Sequence, residues 1–73
     1  MRRLKFDVFG REVHIERRGD RWQAYYPGND GKRRPAPDII IPASIAEAEL
    51  LQYLDDLCHE WATPGNAAVR RTE

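Results

Sequence analysis

Three short runs of alternating apolar and polar residues, separated by two glycine-led dipeptides, constrain this chain more than any other feature. Leu4 to Phe9, Glu12 to Arg17 and Trp22 to Tyr26 have the period of half-buried strands, with Gly10-Arg11 and Gly19-Asp20 between them. A Gly at the first central position suits a two-residue type II′ turn, so both connections are expected to be tight antiparallel hairpins. Such turns fix a register: partner numbers sum to 21 across the first hairpin and to 39 across the second. One face then carries Leu4, Phe6 and Val8 opposite Arg17, Ile15 and Val13, which lie opposite Trp22, Ala24 and Tyr26. The other carries Lys5 opposite Glu16 and Asp7 opposite His14, both complementary cross-strand pairs. Arg18 opposite Arg21 is a like-charge pair placed at the turn.

The stretch Pro27 to Pro37 holds three Pro, two Gly and an Asn29-Asp30-Gly31 turn signal, and it predicts a loop. Asp38-Ile39-Ile40-Ile41-Pro42 is flanked by proline on both sides and predicts a short fourth strand or an extended edge segment. Ser44-Ile45-Ala46-Glu47 matches a capping box, so a helix is expected to start there. Leu50, Leu51, Leu54, Leu57, Cys58 and Trp61 fall at helical spacing on one face, and Pro64-Gly65 closes the helix. Asn66 to Glu73 carries little apolar payload. The expected architecture is an α+β domain over residues 1–64, a three- to four-stranded antiparallel meander with one C-terminal helix packed on one face, followed by a flexible tail over 65–73.

One helix covers one sheet face and leaves the other open. That open face is expected to present Lys5, Glu16 and Gln23 in one row, Asp7, His14 and Tyr25 in the next, and Phe9 near Glu12. A 73-residue domain buries only about 60% of its unfolded surface. A lone Cys58 cannot close an intrachain disulfide, and metal-type Cys pairs are absent. Association with another chain is the remaining ordinary staple, so a homodimer is expected. Asp7 interrupts the apolar stretch that a secretory signal needs, and no apolar run is of membrane-spanning length, which predicts a cytoplasmic protein without membrane contact.

The net charge of zero hides a split. Met1 to Pro37 has ten basic and five acidic residues, while Asp38 to Glu73 has two basic and seven acidic. The halves therefore carry net +5 and −5, a distribution able to steer or orient a partner.

Candidate chemistry is sparse. Asp7, His14 and Tyr25 form the sharpest constellation, a carboxylate able to orient an imidazole beside a phenol, but a general base needs a pocket that an open sheet lacks. Structural pairing is the expected role, with no catalytic residue. Cys58-His59-Glu60 cannot converge on one metal, because consecutive helical residues point about 100° apart. His59-Glu60 begins like a zincin helix, yet Thr63 stands where the second His would be. His59 is expected to meet the negative end of the helix dipole. Lys32, Arg33 and Arg34, aided by Arg2 and Arg3, form a candidate nucleic-acid contact, with Tyr25 or Phe9 available for stacking. Arg18-Gly19-Asp20 reads as the hairpin turn. No phosphate loop, catalytic triad or CxxC motif is present, so no enzyme activity, metal or cofactor is expected.

Lys5-Phe6-Asp7-Val8-Phe9-Gly10-Arg11-Glu12-Val13, together with Gly31-Lys32-Arg33-Arg34-Pro35 and Tyr53-Leu54-Asp55-Asp56-Leu57-Cys58-His59-Glu60-Trp61, resembles a family of short bacterial proteins of unknown function across residues 4 to 64. More loosely, three strands then a helix, with Trp22-Gln23-Ala24-Tyr25-Tyr26-Pro27 closing the third strand, is similar in topology to HicB-type antitoxin domains. That likeness implies binding of a small toxin ribonuclease; Gly28 follows the proline here, and no DNA-binding segment follows the helix. The expected function is a small interaction module, homodimeric or with a small protein partner, whose surface is Lys5, Asp7, Phe9, His14, Glu16, Gln23 and Tyr25. The alternative is nucleic-acid binding through Lys32 to Arg34, with an antitoxin-like regulator as one form of it.

Overall fold

A computed structural model of the chain describes residues 3–28 and 31–72. Arg2, and the Asn29-Asp30 pair of the expected turn, lie outside the described residues. Strands β1 (Arg3–Val8), β2 (Arg11–Arg18) and β3 (Arg21–Tyr26) form the expected meander, and two short strands, β4 (Arg34–Pro35) and β5 (Val69–Arg71), complete the sheet. The order is β4-β3-β2-β1-β5, with every neighbouring pair antiparallel. The α+β class holds. The sheet has five strands rather than three or four.

The second hairpin has the expected register, His14 opposite Tyr25 through Arg18 opposite Arg21, around a Gly19 with φ of 64°. The first does not. Leu4 faces Ile15 and Phe6 faces Val13, so the partner numbers sum to 19 and the turn is Phe9-Gly10, not Gly10-Arg11. Phe9 and Gly10 both have positive φ, 53° and 90°, the sign pattern of a type I′ turn. A left-handed Phe costs about 1–2 kcal/mol. Burying its ring returns about 1.5–3 kcal/mol, and Phe9 is 4% exposed, its ring edge-on to His59 at 6.2 Å. Core burial therefore overrides the turn preference of the glycine. The Asp7 carboxylate accepts from the Gly10 N–H at 2.7 Å and holds the tight turn. Because the slip is two residues, every side chain keeps its face while each cross-strand partner changes.

The expected fourth strand at Asp38–Pro42 is not one. The ladder partner of β3 is Arg34–Pro35, opposite Tyr26 and Tyr25, and Ile39 to Ile41 runs on as an extended strap. Ile39 and Ile41 turn into the core while Ile40 is 74% exposed.

Helix onset is also later than the Ser44 box implies. A 3-10 turn, Glu47–Glu49, leads into α1 (Leu50–Leu57), and the Glu49 carboxylate accepts from the Ala46 N–H at 2.8 Å. The acid that closes the box is Glu49, and the box lies at the start of the 3-10 turn rather than of α1, because Ser44 sits in the turn that Pro42 and Ile45 close by a backbone bond. Leu50, Leu54 and Cys58 point into the core, whereas Leu51 and Leu57 are about two-fifths exposed. At 100° per residue those two flank the stripe by roughly 60° on either side.

The segment expected to be a free tail instead folds. After the 3-10 turn His59–Trp61, Thr63 and Asn66 bridge across the Pro64-Gly65 turn, and the chain returns to lay β5 along β1. Val69 is buried, Arg71 meets Glu47 at 3.2 Å, and the Thr72 N–H donates to the Lys5 carbonyl at 2.8 Å. This strand supplies the backbone partners that the outer side of β1 would otherwise lack. Its single apolar residue explains why the sequence pattern does not show it.

Candidate functional site

The core and α1 occupy one side of the sheet, and most of the candidate residues lie on the other. The slip of the first hairpin rewrites that side. Lys5 is opposite His14 and Asp7 opposite Glu12, in place of the expected Lys5–Glu16 and Asp7–His14 pairs. Glu16 is opposite Arg3. The expected Asp7-His14-Tyr25 row is thus broken: Tyr25 stays beside His14, and Asp7 lies between Glu12 and Arg70.

Nor is this face as open as expected. The loop after β3 folds back over it and brings in Arg33. The Arg33 guanidinium donates to both Glu16 oxygens, at 3.1 Å to Oε1, and lies 3.9 Å from the centre of the Tyr25 ring. Arg3 Nε donates to the same carboxylate at 3.2 Å. Glu16 is 2% exposed, and the hydrogen bond from Arg33 is the chief cause holding its carboxyl below the usual range, against the opposing effect of burial. The Tyr25 hydroxyl accepts from Arg18 Nη1 at 2.8 Å.

Of the residues expected on an exposed surface, Phe9, His14, Glu16 and Tyr25 are buried, and only Lys5, Asp7 and Gln23 are partly accessible. His14 keeps a carboxylate partner, but a different one: its Nε2 lies 2.5 Å from Glu12 Oε2, two residues away on the same strand. Its Nδ1 is buried with no hydrogen-bond partner among the described residues. Arg3, His14, Pro27, Gly28, Gly31 and Arg33 line a cleft of about 270 Å³.

The basic trio is dispersed. Arg33 turns inward, Arg34 lies on the edge strand opposite Tyr26, and Lys32 is exposed. Around the sheet, however, basic residues gather. Arg3, Lys5, Arg18, Arg21 and Arg70, with Arg33 from the loop, share this face with Asp7, Glu12 and Glu16 as its strand acids among the described residues. Arg21 and Arg70 are exposed and make no ion pair among the described residues. On the helix side Glu49, Asp56 and Glu60 are exposed.

Two other places bear on chemistry. A groove of about 520 Å³ between Trp22 and Ala43–Glu47 is mostly apolar, and its one indole N–H is already satisfied by the Ile45 carbonyl at 2.7 Å. Cys58 is buried, and burial pushes its thiol up, away from the reactive thiolate. His59 leaves it for the surface and approaches Asp55 at 3.7 Å. Among the described residues no three His, Cys, Asp or Glu side chains gather as metal ligands, and no helix is long and apolar enough to cross a membrane.

Sequence reasoning did not find Arg70 or the pairing of Arg33 with Glu16. The first lies on a strand with almost no pattern. The second joins residues 17 apart across a loop whose path no local signal records.

A five-stranded antiparallel sheet with one helix on its apolar side and a basic, partly roofed opposite side defines a small α+β domain with one charged sheet face. The chain belongs to the family described as Domain of unknown function (DUF7661), whose model matches residues 3–73. Neither a curated protein nor a solved structure matches it significantly.

Proposed function

We propose that the chain is a small cytoplasmic protein-binding module that holds an acidic protein surface on its basic sheet face. The observation that carries this reading is the sidedness of charge across one sheet. The acids on the basic face are engaged internally, Glu16 by two arginines, Glu12 by His14 and Asp7 by the Gly10 N–H, whereas Arg21 and Arg70 face solvent unpaired among the described residues. Exposed charge of one sign steers and orients a partner of the other. A second copy is the first candidate, because its helix side presents Glu49, Asp56 and Glu60. Pairing of sheet edges has less support: β4 is two residues long and contains Pro35, and β5 is three residues long with two arginines, both features that blunt an edge.

Nucleic-acid binding draws on the same positive charge and is the second reading. Its support is weaker at the stacking step, since Arg33 covers the Tyr25 ring.

Sedimentation velocity at low and high salt tests self-association, and fluorescence anisotropy with a labelled poly-glutamate peptide and a labelled single-stranded oligonucleotide tests the partner class. The expected result is salt-sensitive association and peptide binding, both weakened by Arg21→Glu with Arg70→Glu. A monomer at low salt overturns the homodimer. Binding of the oligonucleotide without the peptide replaces the protein partner with nucleic acid.

A further inference from the structure

The outer side of β3 is only half covered. Its neighbour β4 pairs with Tyr25 and Tyr26, and the Ala36 N–H adds one bond to the Ala24 carbonyl at 2.9 Å. After Pro37 the chain enters the strap of Ile39 to Ile41, so Arg21 to Gln23 have no strand beside them on that side. Main-chain groups along a strand alternate in direction. Because the Ala24 carbonyl meets Ala36, the Trp22 N–H and carbonyl point the same way, whereas Arg21 and Gln23 face their ladder partners Arg18 and Glu16. Neither outward group of Trp22 has a hydrogen-bond partner among the described residues.

The space beside that edge is a groove of about 500 Å³, with Arg21, Trp22 and Gln23 along one wall and Ile39, Ile40 and Ile41 along the other. The loop over residues 27–31 takes no part in it. The strap is fixed in place, since Ile39 and Ile41 are buried and the Tyr53 hydroxyl donates to the Ile40 carbonyl at 2.6 Å. It holds out Ile40, which at 74% exposure is the most exposed large apolar side chain among the described residues. A bare stretch of strand edge, an apolar side chain held beside it and an exposed cation are the elements by which a sheet captures an extended peptide.

We propose that this half-edge takes an extended segment of an acidic partner protein as an added strand, with an apolar residue opposite Trp22 and an acid next to it in sequence. The apolar residue exchanges both main-chain bonds with Trp22. Its side chain falls on the Trp22 side of the sheet, toward Ile40, while those of its two neighbours fall on the basic face, where Arg21 is exposed. Charge selects the occupant. The strands that end this sheet carry Arg34 and Arg70-Arg71, so the edge of a second copy would set arginine beside Arg21, and like charges across a strand pair repel. The inference rests on the acidic-partner reading for the charge of the segment, and it adds the conformation in which that segment is held.

Amide exchange of Trp22, followed by NMR on the full chain, tests this with a short Ser/Thr peptide that carries one Val between two Glu. The free protein is expected to exchange at Trp22 as an unpaired edge amide does, and the peptide to slow that exchange by about tenfold or more. N-methylation of the peptide at Val removes a main-chain donor and keeps both charges; it should weaken binding by about tenfold. Ile40→Ser, at a side chain the core does not use, should weaken it by a similar factor. Equal protection of Trp22 by the N-methylated peptide overturns the added strand, and equal protection by a peptide with Gln in place of Glu overturns its acidic character. Binding of poly-glutamate, with no protection of Trp22 by the Val peptide, overturns the half-edge and leaves the basic face standing. Protection by the Val peptide without binding of poly-glutamate supports the half-edge and overturns the broader face. Exchange at Trp22 that slows with protein concentration alone makes a second copy the occupant and overturns the foreign segment.

Discussion

Gly10 and Asn66 touch across the end of the first hairpin: a Cβ built on Gly10 would lie 2.8 Å from the Asn66 Cγ. The glycine is thus required twice, once by its φ of 90° and once by the close approach of the Pro64-Gly65 turn that leads into β5. Gly10→Ala is expected to cost about 2 kcal/mol, most of it from the left-handed backbone. Calorimetry should show a lower Tm, and adding Asn66→Gly should recover the part due to the contact while leaving the backbone part. Full recovery would show that the conformation of Gly10 carries no strain.

Acid stability hangs on Glu16. Its carboxyl is held below the usual range, so the pairing stabilises the fold above the carboxylate pKa of the unfolded chain and is lost as pH falls through the lower folded value. Arg33→Ala removes the main cause of that depression. Acid unfolding followed by circular dichroism is expected to move to higher pH in the variant, and an unchanged midpoint would place the burden on Arg3 alone.

At the alkaline end Tyr26 is the sensitive group. Burial first, and then the hydrogen bond to Asp38 at 2.8 Å, push its phenol up to about 12. Its contribution is complete below the ordinary tyrosine value near 10 and fades as pH rises through about 12. Absorbance titration should show Tyr26 ionising late. Asp38→Asn should bring it earlier, and Tyr26→Phe should abolish the late step.

Val69 anchors β5 against the core at 6% exposure. Val69→Ala removes two methyl groups and is expected to cost about 1.5 kcal/mol. For a domain of this size that corresponds to a Tm lower by roughly 4–8 °C per kcal/mol. Hydrogen exchange should quicken at Thr72, whose N–H bonds to the Lys5 carbonyl.

The three long strands, the Gly19 turn and the Leu50-Leu54-Cys58 stripe are legible in the sequence because each is a local pattern with one dominant cause. The Phe9-Gly10 turn is not. Its sign is decided by how much ring area Phe9 buries, and that depends on a core assembled from distant residues, with a contact as far along the chain as His59. Val69–Arg71 is illegible for a related reason: it is a strand because β1 has an unfilled edge, not because its own residues favour one. The candidate site inherits both gaps. His14 and Tyr25 can be placed on one face from alternation alone, but Arg33, Glu12 and Arg70 reach it through the loop, the slipped register and the last strand.

The pairing of β1 with β5 also sets an order of events during synthesis. The first strand of the sheet to be made has one permanent neighbour within ten residues and the other more than sixty residues later. Until Val69–Arg71 emerges, β1 is a bare edge able to template on whatever strand it meets. The time a nascent chain spends in that condition grows with any slowing of translation after the helix. Stalling between Trp61 and Val69 is therefore the interval in which this protein is most exposed to mispairing.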